Sequence, residues 1–167
     1  MSLYDASVPA FLQILASLQG VLTKAEAYCK AKNVAPESLL GARLSPDMFP
    51  LTRQIQTASD FAAKSCARLT QSDVPAIPDT EKTFEELKQR LASTIDYVKA
   101  FRPSQFEGAE SREVSFPIGP DKTMTLKGQQ YLSHVAFPNF YFHAATAYGI
   151  LRHNGVEIGK RDFLGVN

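Results

Sequence analysis

The sequence predicts an all-α fold, a four-helix bundle with one small β-hairpin between the third and fourth helices. Three observations lead to this prediction. Four long segments carry apolar residues at spacings of three and four, prolines and glycines separate these segments, and one short stretch alternates with a period of two. Because 167 residues suffice for one hydrophobic core, we expect a single domain over residues 1–167.

The first helical segment presents one apolar stripe along its length. Ser7 is a suitable N-cap and Pro9 fits a first turn, so the predicted helix runs from there to about Ala31. Pro36 then indicates a linker, with one short turn at residues 37–40. The residues of the stripe are Val8, Phe11, Leu12, Leu15, Leu18, Leu22 and Ala25.

The second and third segments begin with clear start signals. Residues 45–47 supply a cap, a first-turn proline and an acidic residue at the positive end of the helix dipole, and the second helix extends to about Thr70. Thr83 and Glu86 form a capping box at the start of the third helix. That helix ends before Pro103, which cannot continue it.

The stretch between the third and fourth helices alternates as strands do. Residues 113–118 and 123–126 form two short runs, with turn residues at 119–122 between them. Two short strands are marginally stable alone, so we expect this hairpin to pack against the helices.

The fourth helix is predicted from about Gly128 to His153. Pro138 lies inside it and should kink it roughly one turn upstream, near His134. The helix should end in a C-cap at residues 154–155, followed by a tail.

The tail is expected to dock on the bundle. Phe163 and Leu164 supply its apolar contacts, and residues 160–162 should be solvated or paired locally.

Three polar residues fall on or beside the predicted inner faces. Asn139 and His143 are one turn apart on the fourth helix, Gln54 flanks the stripe of the second helix, and the three could converge in the core. One interpretation is a metal-free pocket in which His143 acts as a general base. A second is a core histidine satisfied by hydrogen bonds. A third is a metal site, although carboxamides are weak ligands for transition metals.

Aromatic side chains of the fourth helix could line a pocket for a small apolar or aromatic ligand, or form plain core. We expect the ligand-binding residues to be Gln54, Asn139, His143, Met48 and Tyr148, with His143 as the catalytic candidate and no metal ligand. The aromatic set is Tyr131, Phe137, Phe140, Tyr141, Phe142 and Tyr148.

Composition and charge limit which partners and which cellular location we expect for this protein. The formal net charge of +1 and the absence of a long basic run argue against nucleic-acid binding. Cys29 and Cys66 have no metal-type spacing, so we expect two buried reduced thiols rather than a redox pair. The first residues lack the pattern of a signal peptide, and we expect a cytoplasmic protein without membrane association, either monomeric or homodimeric.

Three segments carry a family resemblance: PDMFPL at residues 46–51, FEGAE at residues 106–110, and PNFYFHAATAYGILRHNGVEIGKRDFLG at residues 138–165. They resemble an uncharacterised domain-of-unknown-function family in the DinB/YfiT-like superfamily of four-helix bundles. The resemblance spans essentially the whole chain. It implies a bundle with a long crossover between the second and third helices, or an equivalent irregular connection. It also implies a homodimer, as in many relatives.

The resemblance also implies a site. Metal-dependent members hold a divalent cation with one histidine on the second helix and two at i,i+4 on the fourth, and thiol-dependent transferases and isomerases occur among them. Here His143 matches the second histidine of the pair, Asn139 stands at the first, and Gln54 matches the second-helix ligand. We therefore expect a small-molecule-binding protein with a degenerate, metal-free site around His143. The alternatives are a metal- or thiol-dependent transferase or hydrolase, and a structural dimerisation module.

Overall fold

The computed structural model describes residues 2–166. Four long helices, α1, α3, α4 and α6, form the bundle within those residues, and short elements connect them. In chain order the elements are α1 (Leu3–Lys32), α2 (Pro36–Leu40), α3 (Leu51–Thr70), α4 (Phe84–Lys99), a 3₁₀ turn (Pro103–Phe106), β1 (Glu113–Gly119), β2 (Lys122–Lys127), α5 (Gly128–Tyr131), a π-helical turn (Leu132–Ala136), α6 (Phe137–His153) and α7 (Lys160–Leu164).

Helix α1 begins before the predicted start. Ser2 is its N-cap and forms a capping box with Asp5, so a complete start signal lies upstream of Ser7. The Ser7 hydroxyl donates a hydrogen bond to the carbonyl of Leu3 at 2.6 Å, inside the helix. The prediction of an N-cap at Ser7 was therefore wrong, and Pro9 lies within the helix.

Helix α3 begins after the predicted start. Residues 45–48 form a turn, closed by a 2.9 Å hydrogen bond from the Met48 N–H to the Ser45 carbonyl. The helix starts at Leu51 with Pro50 as its N-cap. A proline disfavours helical dihedrals in the residue before it, so Pro50 prevents Phe49 from joining a helix begun at residue 46.

The other predicted elements are confirmed. Thr83 and Glu86 form the capping box of α4, and β1 pairs with β2 in antiparallel register. The fourth helix changes to a π-helical turn at the predicted kink, since Pro138 has no N–H to donate to the carbonyl one turn upstream.

The core lies between the four long helices, where α3 packs against α6 and α1 against α4. By length and composition, α1 is the one helix of the described chain that passes as a candidate membrane span. Its apolar side chains instead fill the bundle core. Phe11, Leu15, Leu18 and Leu22 have no exposed surface.

The C-terminal tail docks on the bundle. Phe163 supplies an apolar contact as predicted, with its ring 5.8 Å from that of Tyr148. Leu164 is held through its carbonyl, which accepts a hydrogen bond from Gln13. Asp162 does more than pair locally, because it also reaches Lys24 of α1 at 2.6 Å.

Candidate functional site

His143 and Gln54 are in direct contact at the interface of α3 and α6. The His143 Nδ1 lies 2.6 Å from the Gln54 Oε1, and the Gln54 amide nitrogen donates to the Phe49 carbonyl at 3.1 Å. Gln54 is 1% exposed. The turn before α3 therefore fixes the orientation of a buried carboxamide, which in turn holds the imidazole.

This arrangement determines the tautomer of His143. Because the Gln54 NH₂ group donates to Phe49, its oxygen faces the imidazole and can only accept. The proton of the neutral ring then resides on Nδ1, and Nε2 carries a lone pair. No side-chain nitrogen or oxygen among the described residues is both buried and unpaired, so Nε2, which bonds to none of them, is accessible to solvent.

The surroundings of His143 favour the neutral ring. Burial is the main cause that lowers the pKa of His143 below its usual 6.5, and the positive charge of Arg53 lowers it further. The rings of Phe49 and Phe61 lie nearly parallel to the imidazole, with centroids at 6.2 and 6.1 Å. The site thus presents a neutral hydrogen-bond acceptor among aromatic rings.

Asn139 does not join this pair. Its amide nitrogen donates to the carbonyl of Val135 on its own helix at 2.7 Å. The predicted convergence of three polar side chains is therefore correct for Gln54 and His143 and wrong for Asn139, because the Asn139 amide bonds to the backbone of its own helix instead.

Met48 and Tyr148 also lie away from the imidazole contacts. Met48 belongs to the turn before α3, where its carbonyl accepts a hydrogen bond from Arg43. Tyr148 packs against Phe163 of the tail. Phe49, which follows that turn, is the residue whose ring stacks beside His143.

A groove of about 370 Å³ runs along α3 beside this pair. We call it the α3–α6 groove. One face of α3 forms its floor, with residues spaced three and four apart: Thr57, Asp60, Phe61, Lys64 and Arg68. Its other walls are Phe116, Pro117 and Ile118 of β1, with Val135 and Asn139. Phe61 connects the two features, since it lines the groove and flanks His143.

A second polar cluster lies on another side of α3, around Arg90 of α4. We call it the Arg90 cluster. The Arg90 guanidinium is 2% exposed and lies 2.6 Å from Asp60, 3.1 Å from Asp79 and 3.0 Å from Glu81. It also donates to Ser59 and to the carbonyl of Pro78. These contacts fasten the crossover, residues 71–83, to α3 and α4.

A cavity of about 500 Å³, larger than the α3–α6 groove, opens beside the Arg90 cluster under this crossover. Arg90 donates hydrogen bonds there to Ser59, Pro78, Glu81 and Asp60, and its guanidinium also forms an ion pair with Asp79. Both oxygens of Glu81 are also engaged, by Arg90 and Gln56. The charged side chains Arg90 and Glu81 at this cavity are therefore already paired with other residues of the protein.

Sequence reasoning missed Arg68 and Arg90. Asp60, Lys64 and Arg68 recur every four residues, which indicates one charged face of α3, but the same spacing is common on solvated helices. The partners of Arg90 come from the irregular crossover, whose path the sequence pattern does not specify.

Both cysteines are free and buried, as expected. Burial raises the pKa of the Cys66 thiol to about 12 and also raises that of Cys29, where nearby Glu26 and Glu37 add to the effect. A thiol with a raised pKa is a poor nucleophile. Neither cysteine is a candidate for covalent catalysis.

The fold defines the class of protein: a DinB-like helical bundle, in which His143 pairs with Gln54 between α3 and α6. A solved structure described as a DinB family member protein from Shewanella denitrificans is similar, with a TM-score of 0.92 and 43% sequence identity. The match covers 99% of this chain and 93% of that one.

The chain belongs to the family described as domain of unknown function (DUF1993), whose model matches residues 3–164. No curated protein matches the chain.

The residues present do not fit the three-histidine divalent-cation site of metal-dependent DinB-like proteins. Gln54 Oε1 and His143 Nδ1 are bonded to each other, and the Asn139 amide is held by its own helix, so three donors do not converge. Residues 2–166 also contain no group of three or more His, Cys, Asp or Glu that could hold a metal ion.

Proposed function

We propose that this protein binds a small apolar or aromatic molecule in the α3–α6 groove and hydrogen-bonds it through His143 without a metal ion. The state of the imidazole carries the proposal. Gln54 holds the proton on Nδ1, burial favours the neutral ring, and Nε2 is left as an unpaired acceptor. Such a nitrogen accepts a hydrogen bond from an O–H or N–H group of a ligand.

The groove has suitable dimensions and walls. Its volume of about 370 Å³ lies in the range of small-molecule sites. Phe61, Phe116 and Val135 offer apolar surface, and Asn139 adds a polar group. His143 lies next to the groove and not in its lining, with Phe61 between them. A ligand whose polar substituent extends past Phe61 would bring that substituent to the imidazole.

An enzymatic role is the second candidate, and the same nitrogen supports it. A lowered pKa keeps His143 unprotonated at neutral pH, as a general base requires. A transferase or hydrolase would use Nε2 to take a proton from a thiol, hydroxyl or water. Binding must come first, so the experiment below bears on both candidates.

We also propose a homodimer in the cytoplasm. Phe49 and Phe142 are 46% and 55% exposed beside His143, which leaves apolar surface for a second copy. Light scattering measures the mass in solution. A module that only dimerises predicts a dimer whose groove binds no small molecule.

The test compares 2-naphthol with 2-methylnaphthalene, which has a methyl group in place of the hydroxyl. Each is titrated into the wild-type protein and the His143→Phe variant, and binding is followed by amide NMR shifts. A neutral hydrogen bond contributes about 1 kcal/mol, so 2-naphthol should bind roughly five-fold tighter to the wild type. The preference should vanish in His143→Phe and persist in the control His153→Phe, at an exposed position on the end of α6. If neither compound shifts the amides of Phe61 or Asn139, the proposal is wrong.

A further inference from the structure

The α3–α6 groove contains a guanidinium that is held in place but largely unpaired. Arg68, in the last turn of α3, donates one hydrogen bond, from Nη1 to the Tyr131 hydroxyl at 3.1 Å. An arginine has five N–H groups in a planar fork, so four remain uncommitted to the described residues. Arg68 therefore differs from Arg90, whose guanidinium meets three carboxylates, a hydroxyl and a carbonyl.

A buried pair of hydroxyls positions this guanidinium. Tyr131 has no exposed surface, and its hydroxyl lies 3.2 Å from that of Ser65, which is also fully buried. The Phe116 ring packs 5.0 Å from the Tyr131 ring. The hydroxyl that accepts the hydrogen bond from Arg68 thus lies in the core, and its fixed position holds the guanidinium in place.

The charges lining the groove leave one positive charge unbalanced. Lys64 pairs with Asp60 at 2.7 Å, and Asp60 is shared with Arg90 at 2.6 Å. The salt bridges within residues 2–166 include no carboxylate partner for Arg68. The lining thus has two cations and one anion, and a monoanionic ligand would balance it.

We propose that the α3–α6 groove takes an aromatic or apolar carboxylate, with Arg68 as the residue that binds the carboxylate. The inference rests on the proposed function, because it assigns a ligand class to the same groove. The planar fork of Arg68 matches a carboxylate in two parallel charge-assisted hydrogen bonds. Phe61, Phe116 and Val135 then cover the apolar body of the ligand.

A phosphate monoester is the other anion that an arginine recognises. A dianion requires more positive charge than one uncommitted guanidinium provides, because Lys64 is already paired. The net single charge of the lining favours a carboxylate. A phosphate ester therefore serves as an arm of the test.

The experiment uses 2-naphthoate, its neutral amide 2-naphthamide and 2-naphthyl phosphate, titrated separately into the full chain. Because charge-assisted hydrogen bonds are stronger than neutral ones, 2-naphthoate should bind at least ten-fold tighter than 2-naphthamide. The Arg68→Gln variant should lose this preference. Tyr131→Phe, which frees the guanidinium, should reduce it while leaving 2-naphthamide binding unchanged.

Two further variants keep the result interpretable. Arg161→Gln removes the same charge from an exposed position on α7 and should retain the preference. Arg68→Lys retains the charge without the planar fork, so it should bind 2-naphthoate with intermediate affinity. This variant tests the role of Arg68 even if Arg68→Gln does not fold.

The outcomes separate the two proposals. Equal affinity for naphthoate and naphthamide, unchanged in Arg68→Gln, overturns the carboxylate assignment and leaves the proposed function standing. Tighter binding of naphthyl phosphate than of naphthoate also overturns it. No binding of any probe at Phe61 and Asn139 overturns the proposed function and this inference together.

Discussion

The Arg90 cluster and the α3–α6 groove lie on two sides of the same helix and differ in how completely their polar atoms are paired. In the cluster, a guanidinium that is 2% exposed meets three carboxylates, a hydroxyl and a carbonyl. On the groove side, Arg68 donates one of its five N–H groups. The Nε2 of His143, beside the groove residue Phe61, bonds to none of the described residues. Paired polar atoms stabilise the fold, and unpaired ones beside a cavity are available for a ligand.

The charges of the Arg90 cluster balance within it. Asp60 pairs with Lys64 as well as Arg90, and Asp79 pairs with Arg53 as well as Arg90. Glu81 completes the set, giving three anions and three cations. Burial of charge is costly unless it is paired, so this balance is what allows the cluster to lie between α3, α4 and the crossover.

The largest expected effect comes from breaking the cluster. Arg90→Met should lower the free energy of unfolding by about 3–5 kcal/mol, because it leaves Asp60, Asp79 and Glu81 without their shared partner. Urea denaturation followed by circular dichroism measures the change. Arg68→Met, on the groove side, should lower the free energy of unfolding much less. Equal losses of stability in the two variants would contradict the distinction between the extensively paired Arg90 and the largely unpaired Arg68.

An intermediate effect is expected in how the stability of the protein depends on pH through the ionisation of His143. Its pKa in the folded protein is lowered below 6.5, so the unfolded chain binds more protons once the pH falls below that value. The stabilising contribution of the neutral ring is complete above pH 6.5 and is lost as the pH falls toward the lowered pKa. Urea denaturation of wild type and His143→Gln at pH 7.5 and 5.5 should show the wild type losing more stability than the variant. An equal loss in the two proteins would count against the buried, neutral imidazole.

The smallest effect is expected at an exposed ion pair. Lys24 and Asp162 lie 2.6 Å apart, with the lysine side chain 54% exposed. Solvent and salt screen such a pair, so Lys24→Met should change the free energy of unfolding by about 0–1 kcal/mol. A loss as large as that of Arg90→Met would show that α7 is part of the cooperative core and not a docked tail.

Most of the fold could be predicted from local patterns. Amphipathic periodicity gave four helices and alternation gave the hairpin, because both depend on which side chains face the core. The helix starts at Ser7 and residue 45 were wrong for local reasons that compete with periodicity. A better capping box lies at Ser2, and Pro50 restrains the residue before it.

The site was harder to predict because its features depend on long-range contacts. Helical spacing placed Gln54 and His143 on facing sides, and the structure joins them. Spacing could not show that Asn139 bonds to its own helix, or that Tyr131 of α5 receives Arg68 of α3. These contacts depend on packing between segments distant in sequence.

The most direct test of this account asks which cavity is occupied. A titration of 2-naphthoate followed by ¹H–¹⁵N spectra reports on both sides of α3 in one experiment. Binding in the 370 Å³ groove predicts shifts at Phe61, Arg68 and Asn139, and none at Ile77 and Tyr97 in the 500 Å³ cavity. Shifts confined to Ile77 and Tyr97 would contradict it, because size and not unpaired polar atoms would then select the site.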